Sequence, residues 1–195
     1  MIIDNELYLS ELDMIGDADF GINVSRGFRM ILEQLAQLSD PDIGTILKTA
    51  GNVFVFDIGA TIGGYIGRSF QKAADEMQGK LTLTATEFVD IFSIMLAYIK
   101  EKGGAKVGDK TLIDALEPAV DAGKGKVASG VRNVREVINK MARAADEGAK
   151  NTANLVSRVG RSSYIGERSR GKMDPGAILI SLLLESMNDS VSGIA

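Results

Sequence analysis

Hydrophobic residues recur along the chain at spacings of three and four, which is the period of an α-helix with one buried face. The pattern is clearest in residues 88–99 and in residues 127–145, and Thr86 with Glu87 is predicted to cap the first of these helices. No long segment alternates with the period of two that is typical of β-strands, and the β-like run at residues 53–56 is short. The pattern therefore predicts an all-α protein that folds as a single domain.

Four glycine-containing segments interrupt the predicted helices, and all four are rich in groups that suit phosphate or metal ions. They span residues 13–23, 57–67, 103–112 and 160–176. In an antiparallel helical bundle, the loops at one end lie close together in space. The four segments therefore predict a composite binding site at one mouth of the bundle.

The first segment carries two carboxylates, Asp17 and Asp19, between Gly16 and Gly21, and Asp13 lies a few residues upstream. Flanking glycines permit a tight loop, and such a loop can direct several carboxylate oxygens at one point, as Mg²⁺ requires. The alternative is an ordinary turn in which one aspartate caps the following helix. This segment alone leaves both interpretations open.

The second segment contains Gly59-Ala60-Thr61-Ile62-Gly63, whose backbone amides could hold a phosphate at the start of a helix. It is not a Walker sequence, because no Gly-Lys-Ser/Thr follows, and the alternative is close helix packing through small residues. In the third segment, Asp109, Lys110 and Thr111 supply a helix cap, a cation and a hydroxyl group. Taken alone, that third motif is weak.

The fourth segment holds three arginines and a lysine together with Tyr164 and the turn Asp174-Pro175-Gly176. The four cations are Arg161, Arg168, Arg170 and Lys172. A charged run between glycines is often a solvated surface loop, which is the alternative here. The number of cations exceeds what solubility needs, and it favours a lid that binds an anion.

The composition narrows the chemistry that the chain can perform. The chain has no His and no Cys, which excludes a Ser-His pair, a His general base, His-ligated zinc and thiolate chemistry. Catalysis must therefore use carboxylates, lysine or arginine, backbone amides and a bound metal ion. The net charge is −4 and no basic cluster could neutralise a row of phosphates, so no nucleic-acid partner is expected. No membrane span and no secretion signal are predicted, and a cytoplasmic protein is expected.

Taken together, these motifs make the chain resemble the nucleotide-binding subunit of dihydroxyacetone kinases, the DhaL type. The resemblance covers almost the whole chain in order, and its C-terminal motif is the most specific. The matching motifs are Leu12-Asp13, Ile15-Gly16-Asp17-Ala18-Asp19-x-Gly21-x-Asn23 with Arg26-Gly27, the Gly59 to Gly63 loop, Gly108-Asp109-Lys110-Thr111, and Gly160-Arg161-x-Ser163-Tyr164-x-Gly166-Glu167-Arg168-Ser169 with Asp174-Pro175-Gly176.

The resemblance implies one DhaL-type nucleotide-binding domain over residues 1–195, built as an antiparallel barrel of about eight α-helices with the nucleotide at one mouth. It implies that Asp13, Asp17 and Asp19 hold two Mg²⁺ ions that bridge the phosphates, with Asp17 and Asp19 as the catalytic residues. The nucleotide, ADP or ATP, is expected to contact all four segments. The expected contacts are Phe20, Gly21, Ile22, Asn23, Gly59, Ala60, Thr61, Ile62, Gly63, Gly103, Thr111, Leu112, Arg161, Asp174, Pro175 and Gly176.

The implied activity is that of a dihydroxyacetone (glycerone) kinase, a phosphotransferase that is active only with a ketose-binding partner subunit. In the family that partner holds the keto-sugar through a histidine, so a chain without His cannot be the ketose-binding half. The resemblance leaves open whether the phosphoryl donor is free ATP or a protein of the phosphotransferase system. It also leaves open whether the chain forms a homodimer.

The sequence departs from the family pattern close to the phosphates. Phe20 and Lys172 stand where the family usually has His, Ile62 replaces Ser, Gly64 replaces Pro, and the acidic loop is one residue shorter. A charged group that loses a hydrogen-bond partner is destabilised by about 1–3 kcal/mol. These departures keep a second hypothesis open, in which the chain is a catalytically degenerate paralogue that acts as a regulatory or protein-binding module.

Overall fold

A computed structural model describes residues 1–13, 18–59 and 63–192, and all regular structure in these ranges is helical. The α-helices are α1 (Glu6–Leu12), α2 (Phe20–Leu35), α3 (Ile43–Asn52), α4 (Arg68–Glu76), α5 (Ala85–Gly103), α6 (Ile113–Ala128), α7 (Val134–Asn151) and α8 (Pro175–Ser192). Short 3₁₀ helices span Ile3–Asn5, Thr152–Asn154 and Arg161–Ser169, and π-helical turns span Val53–Ile58 and Gly63–Gly67.

The helices form a closed ring in which each α-helix packs against the next one along the chain. The ring closes because α8 also contacts α1. Successive helices run in opposite directions, so every second connection lies at the same end of the barrel. The all-α, single-domain antiparallel barrel of about eight helices is therefore confirmed.

The barrel is held together by apolar side chains that each helix turns inward. The largest fully buried side chains include Leu9, Phe54, Phe92, Met95, Leu116, Met141 and Leu184. Full burial of one such side chain contributes about 1.5–3 kcal/mol relative to leaving it in water. Because these residues come from helices all round the ring, the core fixes the relative position of the helix ends.

Two predictions about helix ends are wrong. α5 is capped by Thr84, not Thr86: the Thr84 hydroxyl accepts from the Glu87 amide, and the Glu87 carboxylate accepts from the Thr84 amide at 2.8 Å. The apolar stripe predicted across residues 127–145 belongs to two helices. Gly130, with φ of +91°, lies in the break between α6 and α7, a conformation that suits glycine.

The short β-like run at residues 53–56 is also helical, because α3 continues into the π-helical turn Val53–Ile58. A cavity of about 540 Å³ lies at the end of the barrel where α2 finishes and α7 begins, and its lining is mostly apolar. None of the predicted site residues lines that cavity. Within the described ranges, no helix has both the length and the apolar character needed to cross a membrane.

Candidate functional site

The four glycine-containing segments meet at one end of the barrel, which we call the mouth. The mouth is formed where α1, α3, α5 and α7 end and where α2, α4, α6 and α8 begin. Two close approaches join the segments: a Cβ on Gly103 would lie 3.3 Å from the Tyr65 ring, and one on Gly176 would lie 3.2 Å from the Leu112 Cβ. A third packs α2 against the turn Val53–Ile58, because a Cβ on Gly27 would lie 2.7 Å from the Phe54 ring.

The acidic loop lies between α1 and α2, and the structure describes Asp13 and Asp19 on its two sides. Asp13 follows the last residue of α1, and one of its carboxylate oxygens accepts a hydrogen bond from the Phe20 amide at 3.4 Å. Asp19 is exposed and directly precedes α2. The third predicted ligand, Asp17, lies outside the described residues. Among the described residues no group of three acidic side chains is placed to hold a metal ion.

The chemistry of the two described carboxylates nevertheless suits Mg²⁺, which prefers oxygen ligands and near-octahedral geometry with several waters. The Asp13 main-chain oxygen accepts from the Ala18 amide at 3.3 Å, and this bond closes the loop. Asp13 and Asp19 are therefore the described residues that would hold such an ion.

The first turn of α2 follows directly, and it contains the predicted contacts Phe20, Gly21, Ile22 and Asn23. Gly21 is buried against α1, and a Cβ there would lie only 2.2 Å from the Glu6 carbonyl oxygen. Ile22 is exposed, whereas Phe20 packs partly buried against the core. The dipole of the helix favours an anion at this position.

The predicted phosphate loop lies between the two π-helical turns. Gly59 has φ of +66°, its amide donates to the Phe54 carbonyl oxygen at 2.9 Å, and its own carbonyl accepts from the Gly63 amide at 2.8 Å. A Cβ on Gly63 would lie 2.3 Å from the Phe54 carbonyl oxygen, whereas nothing lies within 4 Å of one on Gly59. Ala60, Thr61 and Ile62 lie outside the described residues.

The two glycines of this loop therefore have different roles. Gly63 is required for close packing, as the alternative interpretation of the segment proposed, and Gly59 is required for a backbone angle that other residues rarely adopt. The Arg26 guanidinium donates to the Asp57 carbonyl oxygen at 3.2 Å and joins α2 to the loop. π-Helical turns of this kind are frequent at functional sites.

The third segment places Thr111 and Leu112 at the start of α6, and Asp114 shapes the turn before them. The Asp114 carboxylate accepts from the Gly108 amide at 2.6 Å and from the Thr111 amide at 2.7 Å. Gly103, the last residue of α5, is exposed and faces the Tyr65 ring. The loop therefore brings the end of α5 close to the turn Gly63–Gly67.

In the fourth segment, Asp174 caps α8, and its carboxylate accepts from the Ala177 amide at 2.7 Å. Its own amide donates to the Thr152 hydroxyl at 2.9 Å, which ties the start of α8 to the end of α7. Pro175 begins α8, and Gly176 lies against Leu112. Arg161 begins the 3₁₀ helix Arg161–Ser169. We call residues 155–174, which join the end of α7 to α8, the lid.

Comparison with known proteins identifies the family to which the chain belongs. The family model of the DAK2 domain matches residues 14–189. The chain belongs to the DAK2 domain family. The DhaL-type resemblance is thereby confirmed.

Among DAK2 relatives, the chain is 34% identical over 181 residues to the ADP-binding subunit DhaL of the PEP-dependent dihydroxyacetone kinase of Escherichia coli K12, covering 92% of this chain and 86% of that one. It is 33% identical over 191 residues to the ADP-binding subunit DhaL of PEP-dependent dihydroxyacetone kinase 2 of Listeria innocua, covering 94% and 88%.

Among solved structures, it matches the C. freundii dihydroxyacetone kinase in complex with AMP-PNP and Mg²⁺, with a TM-score of 0.74 and 27% identity. The match covers 97% of this chain but only 31% of that enzyme, so this chain spans about a third of its length.

In this DAK2 domain, the environment of Asp174 alters its acidity. Burial of the carboxyl group and, to a smaller extent, the nearby Asp114 carboxylate together raise its pKa to about 7, against the opposing effects of the Ala177 and Gly176 amides and the Lys110 ammonium. A carboxyl group at the mouth is therefore half protonated near neutral pH.

Sequence reasoning missed several residues that organise the mouth of this DAK2 domain. Lys110 and Asp114 lie within or beside a motif that was noted, but neither was assigned to the site. Thr152 lies in no motif, and its contact with Asp174 depends on the tertiary fold. Tyr65, whose ring faces Gly103, was also not assigned to the site, and the glycines around it were the only signal in the sequence that could have identified it.

Proposed function

We propose that this chain is the nucleotide-binding subunit of a dihydroxyacetone kinase, carrying ADP or ATP with Mg²⁺ and transferring a phosphoryl group to a small ketose held by a partner subunit. The observation that carries the proposal is the meeting of the acidic loop, the glycine loop and the Leu112–Gly176 contact at one mouth. The names of the relatives, which are ADP-binding subunits of such kinases, support the same conclusion.

In this proposal, the acidic loop supplies the metal ligands Asp13, Asp17 and Asp19, with Asp17 and Asp19 essential for transfer. When bound, Mg²⁺ neutralises charge on the phosphoryl group, which lowers the barrier without a protein nucleophile. The chain itself has no His and no Cys, and it needs neither for this chemistry.

The nucleotide contacts divide into two groups in the proposal. The first turn of α2 (residues 20–23) and residues 59–63 form the phosphate side, because the dipole of a helix start and a loop that lacks side chains at its glycines favour the approach of an anion. Gly103, Thr111, Leu112 and residues 174–176 form the adenine side, and Arg161 closes the site from the lid. The packing of Gly176 against Leu112 supports this assignment, because it brings an aliphatic side chain to the start of α8.

The mouth also has a rim that suits a protein partner. Four large apolar residues that lie within or directly beside the four segments are exposed at this end of the barrel. They are Ile22 at 53%, Phe56 at 75%, Val107 at 50% and Tyr164 at 90%. Exposed single apolar residues are ordinary, but a group around a proposed active site favours docking of the ketose-binding subunit there.

A second candidate is a degenerate paralogue that binds a protein partner without transferring phosphate. The packing of Phe20 favours it, because an apolar ring that lies against the core offers no hydrogen bond to a phosphate. Under this alternative the apolar rim would still bind a partner, and acidic-loop variants would leave that binding unchanged.

An assay of phosphoryl transfer distinguishes the kinase subunit from the degenerate paralogue. The chain is mixed with a relative's ketose-binding subunit, dihydroxyacetone, Mg²⁺ and ATP, and dihydroxyacetone phosphate is followed by ³¹P NMR. The proposal predicts product with the wild type and with Asp90→Asn, an exposed acid on α5, and a loss of at least 100-fold with Asp19→Asn. If ATP gives no product but a phosphorylated phosphotransferase-system protein does, the donor is that protein. Absence of product with both donors, while the partner still binds, would favour the paralogue.

A further inference from the structure

The Lys110 side chain occupies an unusual environment beneath the lid. It is only 5% exposed, and its ammonium group lies among four main-chain carbonyl oxygens. These belong to Thr152 at 2.9 Å, Leu155 at 3.2 Å, Ser169 at 2.7 Å and Lys172 at 2.6 Å. An ammonium has three N–H donors, so the four carbonyl oxygens engage all three of them, with one donor shared between two oxygens.

The four carbonyl groups come from both ends of the lid. Leu155 is the first residue of the lid and Thr152 lies three residues before it, whereas Ser169 and Lys172 lie near its end, just before Asp174. The backbone of Lys110 has φ of +63°, which is uncommon for a residue with a side chain and which a strongly bonded ammonium can maintain. The side chain therefore joins the two ends of the lid from a fixed point on the neighbouring loop.

Other hydrogen bonds also close the base of the lid. One of them, from the Arg158 amide to the Asp109 carbonyl oxygen at 3.1 Å, also reaches the segment 103–112, and the next two join the ends of the lid to each other. The Ser157 amide donates to the Ser169 hydroxyl at 2.9 Å, and the Gly171 amide donates to the Ala153 carbonyl at 2.8 Å. Lys110 differs from these contacts because it binds both ends of the lid at once from the segment that carries Thr111 and Leu112. It connects the lid to the proposed adenine side of the mouth.

A short chain of contacts leads from Lys110 to the predicted nucleotide contacts on both sides. Along the backbone, Lys110 is two residues from Leu112. Through space, it holds the Thr152 carbonyl oxygen, and the Thr152 hydroxyl in turn accepts from the Asp174 amide at 2.9 Å. Gly176 then lies against Leu112.

From this geometry we infer that Lys110 is a positioning residue, which sets the lid and the Asp174-Pro175-Gly176 turn against Leu112 so that the mouth is shaped for a nucleotide. The part that concerns the nucleotide rests on the proposed function, whereas the part that concerns the lid does not. The role requires an ammonium group, because a neutral side chain of similar length would remove a charged donor from four carbonyl oxygens in a buried or partly buried site.

The absence of Cys from the chain allows a direct test. Lys110→Cys is alkylated in denaturant with 2-bromoethylamine, which restores an ammonium at lysine length, or with iodoacetamide, which leaves a neutral amide. Each product is refolded and assayed by trypsin digestion with mass spectrometry, and by calorimetric titration with ADP and Mg²⁺. Trypsin reports on the lid through the exposed residues Arg168, Arg170 and Lys172. The control is Lys100→Cys. Lys100 lies outside the lid, and its ammonium pairs with the Glu117 carboxylate at a distance of 2.7 Å.

We expect the amide product to be cut at the lid at least tenfold faster than the wild type and to bind ADP at least tenfold more weakly. The aminoethyl product should recover both values to within threefold, and the control should match the wild type. Wild-type lid cleavage in the amide product would overturn the inference, as would cleavage that spreads to the helices or a product that does not fold at all. If the wild type itself binds no ADP, the proposed function fails, and the lid cleavage still decides the role of Lys110.

Discussion

Asp174 has three distinct properties at the mouth. Its carboxylate caps α8, its amide donates to Thr152, and its burial raises its pKa to about 7. The fold therefore retains a proton on this group in a range of pH where the unfolded chain, with the ordinary pKa of 3.8, has lost it. Because the folded state binds more protons at this group, the contribution of Asp174 to stability falls as the pH rises from about 4 to about 7, and this group causes no further loss above that range.

Replacement of Asp174 by Asn should remove this pH dependence, because the Asn side-chain oxygen can still accept from the Ala177 amide. The free energy of unfolding of Asp174→Asn minus that of the wild type should rise between pH 5 and 7 by at most about 1.4 kcal/mol per pH unit. It should be constant above pH 8. Urea unfolding at several pH values measures the difference, and a value that falls with pH would mean that Lys110 outweighs burial in setting this pKa.

At the scale of elements, the capping box at the start of α5 is a local feature whose contribution can be measured separately from the site. Thr84→Ala removes the hydroxyl that accepts from the Glu87 amide, and we expect it to lower the free energy of unfolding by about 1 kcal/mol. Thr86→Ala, two residues further along and exposed, should change it by less than half of that. Equal effects of the two variants in urea unfolding would contradict the assignment of the cap.

The elements also show which parts of the fold are visible in the sequence. The helical period identified an all-α chain, and the glycine-containing segments identified the mouth, because each depends on local composition. The break between α6 and α7 was hidden, since Val127, Val131 and Val134 keep helical spacing across it. The π-helical turns were also hidden, because a single turn is too short to establish a period of its own.

Contacts that depend on the tertiary fold could not be predicted at all. Thr152 has no neighbouring motif, and its bond to Asp174 joins residues that are far apart along the chain. The carbonyl cage of Lys110 likewise draws on main-chain atoms, which every residue type possesses and no pattern of side chains marks. The nucleotide contacts that the family resemblance implies remain predictions, since they require a bound ligand.

At the scale of the whole molecule, the antiparallel barrel explains how four distant segments can form one site. Every second connection lies at the mouth, so a small number of loop residues can supply metal ligands, phosphate-binding amides and an adenine surface together. The core keeps these loops at fixed positions, and under the proposed function the bound metal and the ketose-binding partner supply the rest of the transfer site.

The central claim, a magnesium-dependent nucleotide site at this mouth, is tested most directly by calorimetric titration of the purified chain with ADP. We predict binding that weakens at least tenfold when Mg²⁺ is removed or when Asp19 is replaced by Asn, and that is unchanged in Asp90→Asn. Loss of carboxylate ligands removes the metal that offsets phosphate charge, which is the physical reason. Absence of heat at millimolar ADP, or binding that is indifferent to both Mg²⁺ and Asp19, would contradict the account.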